Sequence, residues 1–123
     1  MKRAYNVISW IAVIVWMSTI FTSSSYPVPE QVARVSDKLL HFGAYFVLGL
    51  LYVNALAGGF RKSVDWRKAW LAVALSTLFG ALDEWHQSFV PARSMSLLDV
   101  VFDFFGSGAA VSCVFLLARR RRS

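Results

Sequence analysis

The apolar residues of this chain fall into four blocks, roughly 4–21, 39–60, 69–82 (running on to 90) and 97–118, with short polar stretches between them. Each block is close to the ~20 residues that carry an α-helix across a hydrocarbon core ~30 Å thick. Composition agrees with the pattern. Of 123 residues 57% are hydrophobic, and the mean hydropathy is +0.52, whereas a soluble domain is usually about half apolar. The blocks predict an all-α fold, an integral membrane four-helix bundle. It forms a single domain over residues 1–123, with spans at approximately 4–21, 37–57, 67–88 and 97–118.

The charges orient these spans. Ten of the thirteen basic residues lie in three places: Lys2 and Arg3; Arg61, Lys62, Arg67 and Lys68; and Arg119 to Arg122. The two remaining links hold Arg34, Lys38 and Arg93 with six of the seven acids. Lysine and arginine are retained on the cytoplasmic side, so both termini are expected to be cytoplasmic. The net charge of +6 is thus a topology signal, and no nucleic-acid partner is expected. Lys2 and Arg3 followed by an apolar run resemble a signal peptide. That run is about 18 residues long with no A-x-A-like site after it, so an uncleaved first span is expected. Cys113 is the only cysteine, which leaves no intrachain disulfide and no cysteine-based metal site.

Local signals set the boundaries. Tyr26-Pro27-Val28-Pro29 makes a stiff, extended start to the first link. Ser36 or Asp37 is a candidate N-cap for the second span, and Gly58-Gly59 a stop for it. Val90 to Ser94 forms a turn, and Ser96 can cap the fourth span.

Ionisable residues cluster where a bilayer tolerates them least. Asp37, Lys38 and His41 open the second span; Asp83, Glu84 and Gln87 end the third; Asp99 and Asp103 open the fourth. Glu84 lies sixteen residues beyond Lys68, about 24 Å of helical rise, and Asp103 lies about 6 Å deeper than Asp99. The charge bias therefore brings all three groups, with Arg93, to the extracytoplasmic face. Helical spacing aims them inward. Lys38, His41, Tyr45, Gly49 and Tyr52 share one stripe; Ser76, Gly80, Asp83 or Glu84 and Gln87 share another; Asp99, Asp103, Gly106 and Ala110 a third. Small residues on these stripes suit close helix contact. The expected object is a bundle with an outward-opening polar pocket, in which Arg93, Lys38 and His41 are the bases available to Asp83 and Glu84. A structural ion-pair network that locks the bundle is the rival reading, and His86 is expected off the stripe.

Asp37-Lys38-Leu39-Leu40-His41-Phe42 with Tyr45, then Asp83-Glu84-Trp85-His86-Gln87-Ser88-Phe89-Val90-Pro91-Ala92-Arg93, then Asp99-Val100 and Gly106 resemble the VanZ-like membrane proteins. That family carries D-K-x-x-H-F-x-x-Y, D-E-x-x-Q-x-F-x-P-x-R and a D-V-x-x-N-x-x-G-like segment. Asp103 stands where the family usually has Asn, which adds a potential charge to the pocket. The resemblance implies a multi-pass protein of the bacterial cytoplasmic membrane. It also implies a cell-envelope role linked to reduced sensitivity to teicoplanin, a glycopeptide antibiotic, but it supplies no mechanism.

Two readings remain open. In the first the pocket binds a lipid-linked or amphiphilic envelope ligand, such as a cell-wall precursor, a phospholipid headgroup or a lipoglycopeptide. Asp37, Lys38, His41, Tyr45, Asp83, Glu84, Gln87, Arg93, Asp99 and Asp103 then form the ligand-binding set, with Arg93 and Lys38 on an anionic group. In the second the protein is an interfacial hydrolase or transferase acting on a lipid-linked substrate. Glu84 and His41 are then the acid–base candidates and Asp83 their partner. Asp83, Asp99 and Asp103 are then structural partners or, less favoured, hard-metal ligands that would suit Mg²⁺ or Ca²⁺ rather than Zn²⁺. No H-E-x-x-H, serine-nucleophile motif or glycine-rich phosphate loop occurs, and neither a metal nor a cofactor is expected. Membrane lipids are the expected partners, and Gly106 and Gly108 in the fourth span are compatible with a homodimer. The apolar inner halves of the spans argue against an ion or proton pathway.

Overall fold

A computed structural model describes residues 1–26, 35–59, 64–91, 93 and 95–121. They form four helices: α1 (Lys2–Ser24), α2 (Val35–Ala57), α3 (Trp66–Gln87) and α4 (Leu97–Arg120). Among the described residues there is no strand, so the fold is an all-α four-helix bundle. Three helices are long and apolar enough to cross a membrane: α1, α2 from Asp37 to Ala57, and α4. Helix α3 is less apolar because Arg67, Lys68, Asp83 and Glu84 all lie within it, leaving 14 residues between the charged pairs.

Helix α2 is the centre of the bundle, touching the other three and packing most broadly on α4. Helix α1 touches α3 only lightly. Leu48, Val53, Ala72, Val73 and Val111 are buried with Tyr45 between the helices, while Ile8, Ile11, Leu78, Leu82, Phe105 and Leu116 face outward. An apolar exterior over a small-residue interior is the arrangement lipid favours. A methyl group on Gly49 would lie 2.9 Å from the Ser107 Cα, and one on Gly106 would collide with the Phe42 carbonyl. Glycine at these two positions sets the α2–α4 distance.

The boundaries follow local chemistry. Gly58 and Gly59 stop α2 in backbone that other residues rarely adopt, at φ 74° and 135°. Asp65 caps α3, its carboxylate accepting the Lys68 N–H at 2.8 Å. The expected cap of α2 is corrected: that helix already runs from Val35, so Ser36 and Asp37 lie in its first turn. Ser96 is the N-cap of α4 by position, but its side chain makes no capping bond. Pro27 to Pro29, Arg61, Lys62, Ala92 and Ser94 lie outside the described residues.

Most of the charge is divided between the two ends of the bundle, with Asp65 among the bases at one end and Lys38 and Arg93 among the acids at the other. Lys2 and Arg3, Arg67 and Lys68, and Arg119 to Arg121 occupy one end. The hydroxyl of Tyr5 donates to Asn54 there at 2.7 Å, tying the start of α1 to the end of α2. Asp37, Asp83, Glu84, Asp99 and Asp103 lie toward the other end.

Candidate functional site

At the acidic end four helix termini meet, and most of the expected residues converge. His41 is the hub, on the second turn of α2. Its Nδ1 stands 2.9 Å from Asp103 Oδ1 on α4. Its Nε2 faces Glu84 Oε1 on α3 at 3.8 Å and Asp37 Oδ1, one turn back on α2, at 3.9 Å. Beside it Lys38 Nζ donates to Asp99 Oδ1 at 2.8 Å, a direct ion pair between α2 and α4. Tyr45 lies one turn further along α2, its ring parallel to His41 and its hydroxyl buried.

Glu84 and Asp103 are both 0% exposed and Asp83 is 2% exposed. Taking a carboxylate out of water costs several kcal/mol unless hydrogen bonds replace the lost hydration, so the partners of each one matter. Asp83 accepts from Ser24 Oγ at 2.5 Å and from Gln87 Nε2 at 3.0 Å. Glu84 Oε2 accepts the Ser96 backbone N–H at 3.0 Å. Glu84 Oε1 and Asp103 Oδ2 have no hydrogen-bond partner among the described residues. Asp103 fits because α3 carries Gly80 opposite it: a methyl group there would lie 2.5 Å from Oδ2.

The pairing differs from the sequence expectation in one respect. Of the three bases expected to be available to Asp83 and Glu84, His41 faces Glu84, but Lys38 pairs with Asp99 and the Arg93 Nε–H donates to the Tyr26 carbonyl at 2.9 Å. Among the described residues Arg93 forms no salt bridge. Asp83 sits next to a serine instead, because the last turn of α1 leans onto the last turn of α3. Phe21 stacking on His86, with ring centroids 4.1 Å apart, closes the same contact, and places His86 off the polar stripe as expected.

Three polar contributors escaped the sequence reading, two at this site and one at the opposite end of the bundle. Ser24 looked like loop, Ser96 contributes a backbone N–H, and Asn54 lies in the half of the bundle read as apolar. Asn54 is buried, accepts from Tyr5 and donates to Ser9 Oγ at 3.3 Å. Asn54 carried a signal, as an amide within an apolar span; the other two depend on how the helices meet.

Between α1, α2 and α3 at this end lies a cavity of about 300 Å³. Trp16, Ile20, Leu40 and Ala44 form its apolar side, and Asp37, His41, Asp83, Gln87 and Arg93 its polar side. Trp16 is held by its indole N–H donating to the Ala44 carbonyl at 2.9 Å. A larger groove of about 940 Å³, lined by Trp66, Trp70, Phe104, Phe105 and Phe115, runs along α3 and α4. It is almost wholly apolar and holds none of the clustered charges.

The chain is 28% identical over 94 residues to an uncharacterized protein of Schizosaccharomyces pombe, covering 76% of this chain and 55% of that protein. It therefore spans about half the length of that curated relative. No solved structure matches the chain. A family model described as VanZ/LLP1 matches residues 9–118, reaching into all four helices, and the chain belongs to that family.

Proposed function

We propose that the acidic end of the bundle opens on the extracytoplasmic side of the membrane and binds the polar head of a membrane amphiphile. The observation that carries this reading is the two-sided cavity of about 300 Å³, with Trp16, Ile20, Leu40 and Ala44 on one side and Asp37, His41, Asp83, Gln87 and Arg93 on the other. A pocket of this size, largely apolar with a few polar groups to fix orientation, suits one headgroup and the first part of its chains. Lys38 is engaged by Asp99. Among the described residues Arg93 bonds only through its Nε–H, to Tyr26, and its terminal nitrogens would grip an anionic group such as a phosphate. Orientation rests on the basic residues gathered at the opposite end. The relative in a yeast favours a phospholipid-type headgroup over a ligand confined to bacterial walls, while a role in teicoplanin sensitivity rests on the family resemblance alone.

The test is native mass spectrometry of the full chain with defined anionic and zwitterionic phospholipids. Wild-type protein retains an anionic lipid, and Arg93→Ala loses at least tenfold in affinity. Binding that is indifferent to Arg93 and to headgroup charge refutes the reading. Expression of both proteins in a teicoplanin-susceptible strain tests the resistance role separately.

One observation favours the interfacial-enzyme alternative. His41 bonded to Asp103, with Glu84 on its other side, has the arrangement of a base and its orienting group. Among the described residues no serine, threonine or cysteine hydrogen-bonds His41, so a water would have to be the attacking group. Turnover of labelled envelope lipids that is abolished by His41→Gln would select this alternative.

A further inference from the structure

We infer that His41, Asp37, Glu84 and Asp99 form a binding site for one divalent transition-metal ion, with Asp103 as the group that orients the histidine. A carboxylate only accepts hydrogen bonds. Asp103 Oδ1 at 2.9 Å from Nδ1 therefore places the proton of a neutral imidazole on Nδ1 and leaves the Nε2 lone pair facing inward. That lone pair points at two carboxylate oxygens, Glu84 Oε1 at 3.8 Å and Asp37 Oδ1 at 3.9 Å. These separations are too long for hydrogen bonds, so with His41 neutral its lone pair and each carboxylate oxygen attract only through a cation between them. A metal ion would take that place in exchange for the proton that otherwise charges the ring. Asp99 completes the group: one atom each from Asp37, His41 and Asp99 lie within 4.8 Å of one another.

The second observation is independent of that clustering. Glu84 is 0% exposed, and among the described residues its Oε1 has no hydrogen-bond partner. The Ser96 N–H fixes its other oxygen at 3.0 Å, so the free oxygen is held toward His41 Nε2. Ligand atoms bound to a first-row ion at about 2.1 Å lie about 3.4 Å apart at the tetrahedral angle. The observed gaps of 3.8 and 3.9 Å need to close by about 0.5 Å around such an ion. A histidine donating its far N–H to a carboxylate is the outer-shell arrangement that fixes a metal-binding ring.

Charge bookkeeping agrees. Five carboxyl groups (Asp37, Asp83, Glu84, Asp99 and Asp103) face two permanent cations, Lys38 and Arg93, and a divalent ion would offset two of the three excess negative charges. One nitrogen among oxygen ligands suits Mn²⁺, Fe²⁺ or Zn²⁺ better than Ca²⁺. The absence of a recognisable metal motif follows from the ligands coming from three helices. Only Asp37 and His41 are close in sequence.

The experiment uses the full chain in nanodiscs of phosphatidylcholine, titrated with Mn²⁺ and followed by electron paramagnetic resonance, with Zn²⁺ as competitor. One Mn²⁺ per chain is expected, showing magnetic coupling to a single imidazole nitrogen and displaced by Zn²⁺. His41→Gln should remove the nitrogen coupling, and Glu84→Gln and Asp37→Asn should each weaken binding at least tenfold. Asp103→Asn, which keeps the shape but not the charge, should weaken it about 10- to 100-fold. Tyr5→Phe, at the other end of the bundle, should leave it unchanged. No nitrogen coupling in the wild-type protein overturns the inference without recourse to any variant. So does a coupling that survives His41→Gln in folded protein. The measurement needs no anionic lipid, so its failure leaves the lipid reading standing, and the failure of that reading leaves the metal site standing.

Discussion

Replacing Gly80 by alanine puts a methyl group into space that the Asp103 carboxylate already occupies. The new Cβ would lie 2.5 Å from Oδ2 and 3.1 Å from both Cβ and Cγ of Asp103. Ordinary contact begins near 3.4 Å, so the carboxylate, or the whole of α4, must retreat by about 0.9 Å. Asp103 has little freedom to do so, because its other oxygen is 2.9 Å from His41 Nδ1. A retreat of that size along the bond takes it past 3.5 Å, beyond hydrogen-bonding range. Overpacking of this kind costs about 1–3 kcal/mol, and loss of a hydrogen bond to a charged group adds about 1.5–3 kcal/mol. The expected destabilisation is about 2.5–6 kcal/mol. The same substitution at Gly43 and Gly108 is the internal control: both lie within helices and would meet nothing within 4 Å. There alanine should be neutral or stabilising by up to about 1 kcal/mol through helix propensity. Reversible unfolding of the three variants in one mild detergent reads the difference. If Gly80→Ala stays within about 0.5 kcal/mol of wild type, or if all three lose stability alike, the contact between Gly80 and Asp103 does not hold these helices in register.

Ser24→Ala leaves Asp83 with Gln87 as its remaining donor and should cost about 1–3 kcal/mol. Denaturation of Ser24→Ala, Asp83→Asn and the double variant measures it, and purely additive effects would show that the two side chains do not interact. Orientation is tested by single cysteines in a Cys113→Ser background. Phe89→Cys, just beyond α3, should react with a membrane-impermeant maleimide in intact cells, and Arg121→Cys only after permeabilisation; the reverse pattern inverts the assignment of sides.

The sequence by itself determined the helical class, the rough extents of the four helices and the grouping of polar residues on shared stripes. Each of these follows from one-dimensional periodicity. Apolar runs of about 20 residues leave helix as the fold, and spacings of three and four residues place Lys38, His41 and Tyr45 on one face of α2 whatever that face meets. Gly58-Gly59 was legible as a stop because its backbone requirement is local. Which carboxylate meets which base was not legible, since partners from different helices depend on axial offsets and rotations set by packing. Arg93 was the nearest lysine or arginine to Glu84 in sequence, yet it turned to the Tyr26 carbonyl, while Asp83 took Ser24, fifty-nine residues away on another helix. Glycine contacts fix those offsets: Gly49 on Ser107, Gly106 on Phe42 and Gly80 on Asp103 bring the backbones close enough for short side chains to meet. Only that approach seats His41 between Asp103, Glu84 and Asp37, and turns charges that each span could have carried alone into one buried site.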